Sequence, residues 1–448
     1  MFQKILIANR GEIAVRILRA CKMLGIKTVA VHSVIDESLM HVRFADESVC
    51  IGPNRAADSY LNVASILSAA ELTGCDALHP GVGFLSENAK FAKMVNGHGI
   101  KFIGPDPLHL SEMGDKILAK KKMMEYGVPV VKGSDGDVQS VDAAKRIAEE
   151  IGYPVLFKAA SGGGGKGMKV AESISEIEDA FRLAKSEARV NFGDDTIYME
   201  RYLKNPRHIE IQIIADSFGN VVHLGERDCS IQRNHQKLIE ESPCTALSPD
   251  QRQKIGEIAV RAVEKIGYVG VGTLEFLFED GEFFFMEMNT RLQVEHGVSE
   301  ELTGIDIVSE QIRIAAGERL SFGQSDIRFS GHVMEFRINA EDSETFLPSP
   351  GRIEELFFPG GNGIRVDSHI YSEYVIPPFY DSLIAKLMVR ADSRQECLSK
   401  ARCALDELVI DGISTTAELY KKLLRNTDMI RGDVSIHWLE DDWKNYDT

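Results

Sequence analysis

The sequence predicts a mixed α/β and α+β fold that begins with a doubly wound parallel sheet. A buried-strand pattern at residues 4–8 is followed by helical spacing of apolar residues from 12 to 24 and by a second apolar strand at 27–32. Such a βαβ unit is typical of a parallel sheet covered by helices. A second α/β region begins near Tyr126, and from about Gly331 the pattern becomes that of an α+β unit.

Length and charge narrow the possible functions. A chain of 448 residues is long enough for about three domains. The hydrophobic content of 44% is sufficient for a sizeable core. The net charge of −17 argues against nucleic acid as the main partner, because nucleic acid is usually bound by a basic face. An anionic substrate must therefore be held by local clusters of Lys and Arg.

The cysteines and the N-terminus indicate a cytoplasmic protein. Seven scattered cysteines without a C-x-x-C pair fit a reducing compartment. We interpret Cys229 as a small buried side chain rather than a nucleophile. The chain opens directly into a strand, and we find neither a leader nor an apolar run long enough to span a membrane.

Two glycine-rich loops are candidates for ligand binding. The segment 79–88 (HPGVGFLSEN) follows a predicted strand, at the kind of strand end where open α/β sheets bind ligands, although a tight turn explains it equally well. The segment 161–167 (SGGGGKG) follows a strand that carries Lys158, and its backbone N–H groups could converge on phosphate oxygens. It is not a Walker A loop, because Lys166 is followed by Gly. We predict a phosphate loop that moves until nucleotide binds.

The segment 272–296 has the pattern of a β-hairpin that carries candidate metal-binding and anion-binding side chains. Two aromatic-rich strands flank an Asp-Gly turn, and Glu275, Glu287 and Asn289 place oxygen ligands on them. A cluster of Arg291, Gln293 and Glu295 follows. Oxygen ligands next to a cation and a carboxylate suggest a magnesium–nucleotide site with a bound anion.

The register of this hairpin decides whether it can hold a metal ion. A two-residue loop would place Glu275 and Glu287 on opposite faces, where they could not share an ion. A three-residue loop, or a bulge, would place Glu275 opposite Glu287 and Thr273 opposite Asn289. The opposite, apolar face would then consist of Leu274, Phe276, Phe284, Met286 and Met288. The hairpin alone leaves both possibilities open, an ion site or incidental carboxylates.

Six segments together resemble the biotin carboxylase family of ATP-grasp enzymes, over essentially the whole chain. They are IANRGEIAVRI, HPGVGFLSEN, SGGGGKGM, ERDCSIQRNHQK, EMNTRLQVEH and RINAED. The resemblance implies a pre-ATP-grasp domain at 1–114, an ATP-grasp domain at 115–330 with a mobile glycine-rich lid at about 131–203, and a C-terminal biotin carboxylase domain at 331–448.

The resemblance also implies an activity, cofactors and partners. The implied reaction is ATP-dependent carboxylation of biotin by bicarbonate through carboxyphosphate, the first half-reaction of acetyl-CoA carboxylase, with Mg²⁺ or Mn²⁺. Implied partners are a biotin carboxyl carrier protein, carboxyltransferase subunits and a second copy of the chain in a homodimer. The sequence has no biotinylation motif of the Ala-Met-Lys-Met type, so we expect the biotin on a separate carrier.

The family motifs assign roles to residues of this chain. ATP contacts are implied for Lys116, Lys158, Gly164, Gly165, Glu200, Arg201, Leu203, His208, Gln232 and His235. Metal ligands are implied at Glu275, Glu287 and Asn289. A bicarbonate pocket is implied at Lys237, Arg291, Gln293 and Val294, with Glu295 as the base. Arg337 is implied as the partner of the biotin enolate.

The chain departs from the family pattern at two positions. Val82 stands where the family usually has Tyr, close to the biotin pocket, and Gly297 stands where it usually has Pro. Three alternatives to the lead interpretation remain: a biotin carboxylase subunit of a pyruvate or propionyl-CoA carboxylase, another ATP-grasp ligase that forms a C–N bond, and an ATP-binding scaffold with impaired catalysis.

Overall fold

The computed structural model describes residues 1–160 and 167–441. The predicted phosphate contacts Gly164 and Gly165 lie outside the described residues. Helices and strands are numbered below in chain order.

The N-terminal part is a five-stranded parallel sheet in the order β3-β2-β1-β4-β5, as the βαβ pattern predicts. The loops after β1 and β4 meet at one edge, where Asn9 donates from Nδ2 to the carbonyl oxygens of Pro80 (2.8 Å) and Val82 (2.7 Å). The elements are β1 (Lys4–Ile7), α1 (Gly11–Met23), β2 (Lys27–Ser33), α2 (Met40–Phe44), β3 (Glu47–Gly52), α3 (Val63–Leu72), β4 (Ala77–His79), α4 (Ala89–Gly97), β5 (Lys101–Phe102) and α5 (Pro107–Gly114).

A small antiparallel sheet of order β7-β6-β8 follows, and its apolar core packs against two helices. The elements of this part are α6 (Lys116–Glu125), α7 (Val141–Ile151), β6 (Val155–Ala159), β7 (Met168–Ala171), α8 (Ile177–Phe192) and β8 (Ile197–Arg201). Strands β6 and β7 lie on either side of the glycine-rich segment in the chain, and residues 161–166 of that segment lie outside the described residues.

The largest sheet has eight strands in the order β13-β12-β9-β10-β11-β14-β19-β17, and it crosses the predicted domain boundary at 330/331 through the pairing of β11 with β14. Its first part comprises β9 (Arg207–Ala215), β10 (Val221–Arg233), β11 (Gln236–Ser242), α9 (Pro249–Ile266), β12 (Gly270–Glu279), β13 (Glu282–Asn289), α10 (His296–Thr303) and α11 (Ile307–Ala315). The continuous sheet places the end of the hairpin beside the C-terminal part.

The C-terminal part completes this sheet and packs its own helices against it. Its elements are β14 (His332–Asn339), β15 (Gly351–Arg352), β16 (Leu356–Phe357), β17 (Ile364–Ser368), β18 (Val375–Ile376), β19 (Leu383–Ala391), α12 (Arg394–Glu407), β20 (Val409–Ile410), α13 (Ala417–Leu423), α14 (Thr427–Arg431) and α15 (Trp438–Asp441). Within the described ranges, no helix has the length and apolar character needed to cross a bilayer.

The hairpin of β12 and β13 combines a two-residue turn with a bulge. Glu279 pairs with Glu282 across Asp280 and Gly281, whose φ angles of 52° and 83° are those of a tight hairpin turn. The register then shifts between the pairs of Phe276 and Glu275, so that one extra residue is accommodated in β13.

The bulge restores the pairing that a metal site requires. Glu275 stands opposite Glu287, and Thr273 stands opposite Asn289. The predicted apolar face is partly wrong, because Phe276 pairs with Phe285 instead of lying beside Phe284 and Met286. The buried apolar face consists of Leu274, Phe276, Phe285 and Met288, whereas Met286 lines a cavity.

Candidate active site

One cavity of about 860 Å³ collects every candidate residue that the structure describes. It lies between the N-terminal sheet, the small antiparallel sheet and the large sheet. The candidates that line it are Val82, Lys116, Lys158, Glu200, Arg201, Leu203, His208, Gln232, His235, Lys237, Glu275, Glu287, Asn289, Arg291, Gln293, Val294, Glu295 and Arg337. Residues scattered over more than half of the sequence therefore face a common space.

Lys237 lies at the centre of the site and contacts three acidic residues. Its ammonium group donates to three buried carboxylates, at 2.6 Å to Glu210, 3.0 Å to Glu275 and 2.6 Å to Glu295. Burial works against the charged amine, but the three carboxylates outweigh it and hold the pKa of Lys237 well above its ordinary value. Lys237 is therefore a permanent cation between the hairpin and Glu295.

Glu295 is held between two cations. One of its oxygens accepts from Lys237, and the other accepts from Arg337 at 2.9 Å. Burial favours the neutral acid, but Lys237, Arg337 and Arg227 prevail and hold the pKa of Glu295 well below its ordinary value. Glu295 is therefore ionised at neutral pH and able to accept a proton.

Glu275 occupies the centre of a hydrogen-bond network. Its Oε1 accepts from Lys237, from the amide of Asn289 (2.8 Å) and from the amide of Gln293 (2.9 Å). His208 Nε2 lies 3.0 Å from its other oxygen. Burial opposes ionisation, yet Lys237 and His208 hold the pKa of Glu275 well below its ordinary value.

Glu287 faces Glu275 from the neighbouring strand and is more accessible. It pairs with Lys116 at 3.1 Å, and about a third of each side chain is exposed. Two opposed carboxylates are hard oxygen donors of the kind that Mg²⁺ and Mn²⁺ prefer, so the donor set fits such an ion. Asn289 turns its oxygen to Arg291 (2.8 Å) and its amide nitrogen to Glu275, so it would offer that oxygen by releasing Arg291.

Arg291 is fixed by the N-terminal part of the chain. Its Nε donates to Glu87 at 2.9 Å, and Glu87 follows the loop that contains Val82. Gln293 accepts from Arg291 at 3.2 Å, and the carbonyl oxygen of Val294 accepts from Lys386 at 2.6 Å. The predicted anion pocket is therefore built by all three parts of the fold.

A second group of cations lies at the other end of the cavity. Glu200 is buried and pairs with Lys158 at 2.8 Å and with Lys120 at 2.5 Å. Lys120 is not among the residues to which the family motifs assign a role, but helix α6 places it one turn after Lys116, where it donates to Glu200. Burial opposes ionisation of Glu200, but Lys158 and Lys120 hold the pKa of its carboxyl below the ordinary value.

The remaining candidates lie around this end. Leu203 is buried just after β8, whereas Arg201 is exposed at the end of that strand. His235 lies in the two-residue turn between β10 and β11, where it and Asn234 have φ angles of 61° and 48°. Burial lowers the pKa of His235. Gln232, at the end of β10, is buried beside this turn.

Three buried residues of the site were not predicted from the sequence: Glu210, Gln212 and Arg227. Glu210 receives hydrogen bonds from Lys237 and from the fully buried Arg227, and Arg227 also donates to Gln212 at 2.7 Å. The segment HIEIQII alternates polar and apolar residues, and this period of two could have placed Glu210 and Gln212 together on one face of a strand. His208, Glu210 and Glu275 offer ligand atoms within 4.8 Å of one another, but Arg227 and Lys237 already engage Glu210.

Cys229 is fully buried, and burial raises the pKa of its thiol well above the ordinary value. The thiol is therefore protonated and unreactive at neutral pH. This agrees with the prediction of a small buried side chain.

Three family models match the chain. The biotin carboxylase N-terminal domain matches residues 1–110, the ATP-binding domain of the carbamoyl-phosphate synthase L chain matches 115–322, and the biotin carboxylase C-terminal domain matches 335–441. Together they account for nearly the whole length.

Curated relatives agree with these matches. A biotin carboxylase of Pseudomonas aeruginosa is 54% identical over 98% of both chains. Biotin carboxylase 1 of Bacillus subtilis is 50% identical over 98% of both.

Solved structures show the same fold. A biotin carboxylase–β-γ-ATP complex from Campylobacter jejuni has a TM-score of 0.95 at 50% identity, with 98% of both chains covered. The biotin carboxylase domain dimer of a 2-oxoglutarate carboxylase from Hydrogenobacter thermophilus, in complex with MgADP, ADP and bicarbonate, has a TM-score of 0.95 at 48% identity and covers 100% of this chain and 99% of that one. The chain belongs to the biotin carboxylase family and is an ATP-dependent ligase.

Proposed function

We propose that this chain carboxylates biotin on a separate carrier protein, with bicarbonate and ATP, through carboxyphosphate. The observation that supports this most is the placement of Lys237, which joins the opposed carboxylates of the hairpin to Glu295 and Arg337 in one cavity. A nucleotide end, an anion pocket and a base thus lie side by side, as a reaction between bicarbonate and a phosphoryl group requires.

Glu295 acts as the general base toward bicarbonate. It is ionised in the free protein because Lys237 and Arg337 each bind one of its oxygens. An anionic substrate that draws Lys237 or Arg337 away from Glu295 leaves the carboxylate with less compensation and raises its basicity. Binding of the substrates therefore turns a stabilised carboxylate into a working base.

Lys237, Arg291 and the lysines at the nucleotide end supply positive charge for phosphoryl transfer. Charge that develops on the transferred phosphoryl oxygens is best met by groups already held in place, because they need no reorganisation. Lys116 and Lys158 serve this role toward ATP. A Mg²⁺ ion held by Glu275 and Glu287, with Asn289, would add charge stabilisation on the phosphate oxygens.

Arg337 binds the oxyanion of biotin while carbon dioxide is transferred. Its guanidinium already spans two carboxylates, Glu240 and Glu295, in a nearly dry setting. A planar fork of donors suits a ureido oxyanion. Val82 lies on the wall of the same cavity, where it leaves more room than an aromatic side chain.

We also assign the remaining ATP and bicarbonate contacts of the family to the matching residues of this chain. Glu200, Arg201, Leu203, His208, Gln232 and His235 bind ATP together with Gly164 and Gly165, and residues 131–203 close over it as a lid. Gln293 and Val294 line the bicarbonate pocket.

The partners and compartment are likewise proposed. A biotin carboxyl carrier protein brings the substrate, carboxyltransferase subunits use the product, and the chain forms a cytoplasmic homodimer. We place it in acetyl-CoA carboxylase. The cavity itself does not select the final acceptor, and the biotin carboxylase subunit of a pyruvate carboxylase is similar at 47% identity and a TM-score of 0.87. Carboxyl transfer assayed with acetyl-CoA, propionyl-CoA and pyruvate, using the cognate carrier and transferase, decides between these acceptors.

The activity is tested by ADP release from ATP and Mg²⁺, measured with bicarbonate, with free biotin, with both and with neither. Full turnover is expected only with both, together with formation of carboxybiotin. Turnover that does not depend on bicarbonate would contradict the proposal and favour another ATP-grasp ligase. Tight ATP binding without ADP release under any condition would favour the scaffold interpretation.

A further inference from the structure

Two buried carboxyl groups lie behind Arg337, and the chemistry proposed above does not use them as a pair. Glu240 on β11 and Glu335 on β14 are direct partners in the antiparallel ladder, and neither has any exposed surface. Directly opposed side chains of such a ladder share one face, with Cβ atoms about 5 Å apart. The two carboxyl groups are therefore neighbours in a dry part of the sheet.

The hydrogen bonding of this pair is incomplete. Glu240 Oε1 accepts from Nε of Arg337 at 2.7 Å and lies 2.6 Å from one of its terminal nitrogens. The second oxygen of Glu240 and both oxygens of Glu335 have no hydrogen-bond partner within the described ranges. Three unpaired oxygen atoms on two adjacent buried carboxyl groups are costly unless a proton is shared between them.

The nearby cations are engaged elsewhere. Lys386, on the strand next to Glu335, donates to the carbonyl oxygen of Val294 at 2.6 Å and lies 3.4 Å from Glu12. Arg337 is divided between Glu240 and Glu295. Among the residues that the structure describes, none gives Glu335 an ion-pair partner within bonding distance.

The other groups around Glu335 are apolar or distant. Met388 is its ladder partner on β19, and Gly297 of helix α10 lies above it, where a Cβ atom would be 3.3 Å from Glu335 Oε2. The charged groups that act on it are Lys386 on β19, Glu240 on β11, Arg337 on its own strand and Glu295 before α10.

These surroundings decide the ionisation of the pair. Burial, together with the charge of Glu240, outweighs Lys386 and holds the pKa of Glu335 well above its ordinary value. Burial also raises the pKa of Glu240, but Arg337 opposes this through two contacts, so Glu240 is the member of the pair that stays ionised. Two opposed carboxylates in a dry interior are not both ionised.

We propose that Glu335 is a neutral carboxylic acid whose O–H donates to the free oxygen of Glu240, and that this acid–carboxylate pair holds the guanidinium of Arg337 in the orientation that biotin requires. Glu335 is thus a positioning residue that acts through Glu240. The inference rests on the role proposed above for Arg337 in the biotin step.

The variants E335Q and E335L separate this role from simple packing. The amide of Gln can donate to Glu240 as the acid does, whereas Leu fills a similar volume without a donor. We expect E335Q to retain biotin carboxylation within about threefold, and E335L to lose it by about tenfold or more while biotin-independent, bicarbonate-dependent ATP cleavage changes little. R337A provides the reference for loss of the guanidinium, and E264Q, on the exposed face of α9, provides the matched control.

A second measurement reads the proton directly and does not depend on catalysis. The infrared spectrum of the wild-type protein minus that of E335Q should contain the carbonyl stretch of a protonated carboxylic acid at neutral pH, and the difference with E264Q should not. Absence of this band at neutral pH would overturn the inference, even if E335L failed to fold. So would equal losses of both reactions in E335L, or full biotin carboxylation in it. If R337A retained biotin carboxylation, the role proposed for Arg337 would be wrong. The infrared band would still show whether Glu335 is protonated.

Discussion

Glu275 and Glu287 stand directly opposite one another, although the turn between their strands has only two residues. The bulge in β13 shifts the register by one and brings both carboxylates to the cavity face. The two are not equivalent, because Glu275 is buried at the centre of a hydrogen-bond network, whereas Glu287 is about one-third exposed and pairs with Lys116.

We therefore expect the substitutions E275Q and E287Q to separate folding from metal binding. E287Q should raise the Mg²⁺ concentration needed for ATP cleavage by about tenfold or more and change the free energy of unfolding by less than about 0.5 kcal/mol. E275Q should also lower the free energy of unfolding, by about 1–3 kcal/mol, because it removes the charge that pairs with the buried Lys237 and one of the two oxygens that accept from buried groups. Mg²⁺ titrations of ATP cleavage measure the metal requirement, and urea unfolding measures the free energy of unfolding. E282Q, at the exposed hairpin tip, is the control. If E275Q and E287Q lowered the free energy of unfolding equally, the proposed difference between the two carboxylates would be wrong.

The substitution E295Q tests the assignment of the base. Gln keeps the shape of Glu295 but cannot take the proton of bicarbonate, so bicarbonate-dependent ATP cleavage should fall by about 10²–10⁴-fold. The dissociation constant for ATP, measured by calorimetry, should stay nearly unchanged, because the nucleotide end of the cavity is built from other residues. Full activity in E295Q would refute the assignment, and E264Q again serves as the control.

The substitution V82Y should strengthen the binding of free biotin. The loop that carries Val82 is anchored by Asn9, so a larger side chain there would extend into the cavity rather than displace the loop. Aromatic contact with the biotin rings should lower the KM for biotin by about two- to tenfold. V82L controls for size without a ring. The same change in V82L and V82Y, or none in either, would show that an aromatic group at this position has no special role.

Local patterns predicted the fold well because they depend only on neighbours in sequence. Helix α9 (Pro249–Ile266) is an example, since a capping box, an apolar face and a following glycine mark its ends in the sequence. The parallel N-terminal sheet followed from the βαβ pattern in the same way. The pairing of Glu275 with Glu287 was one of two open registers, and packing of Phe285 against Phe276 in the core accompanies the bulged one.

Contacts between distant strands could not be predicted from such patterns. Arg227 and Glu210 meet because β9 and β10 pair in one register, and a shift by one residue would have turned them to opposite faces. Lys386 reaches Val294 across a strand order that no local signal fixes. The side of the helix on which Lys120 lies could have been predicted, because its spacing from Lys116 places both lysines on one face.

Gly297 and Met388 are coupled through space. Gly297 is buried in the first turn of α10, two residues after Glu295, and a Cβ atom there would collide with the sulfur of Met388. The substitution G297A should therefore lower the free energy of unfolding by about 1–3 kcal/mol in the wild-type background. In an M388A background the same change should be neutral or slightly stabilising, because Ala favours a helix more than Gly does.

Urea unfolding of the two single variants and the double variant yields the coupling energy, which should reach about 1–3 kcal/mol. G114A serves as the matched control, since Gly114 ends a helix and a Cβ there would have no neighbour within 4 Å. Additive effects of G297A and M388A would show that Met388 does not fill the space left by Gly297.

His41 should make the protein lose stability in mild acid. Its ring is fully buried on α2, with one nitrogen 3.2 Å from the carbonyl oxygen of Val31 and the other without a hydrogen-bond partner within the described ranges. Burial lowers the pKa of His41 from 6.5 to about 4, and this outweighs the opposing effects of the Val31 carbonyl and of Asp36. The native state therefore keeps the ring neutral at a pH where the unfolded chain takes up a proton.

The stability that this neutral ring contributes is fully present above about pH 6.5 and is lost as the pH falls toward 4, since the unfolded state binds more protons in that window. By pH 5 the loss should be on the order of 2 kcal/mol. In H41Q the side-chain amide can still donate to Val31, but it does not titrate, so the free energy of unfolding should fall less between pH 7 and pH 5. H98Q, at an exposed position on the same domain, should follow the wild-type profile. Parallel profiles for H41Q and the wild-type protein would exclude His41 as the source of the acid sensitivity.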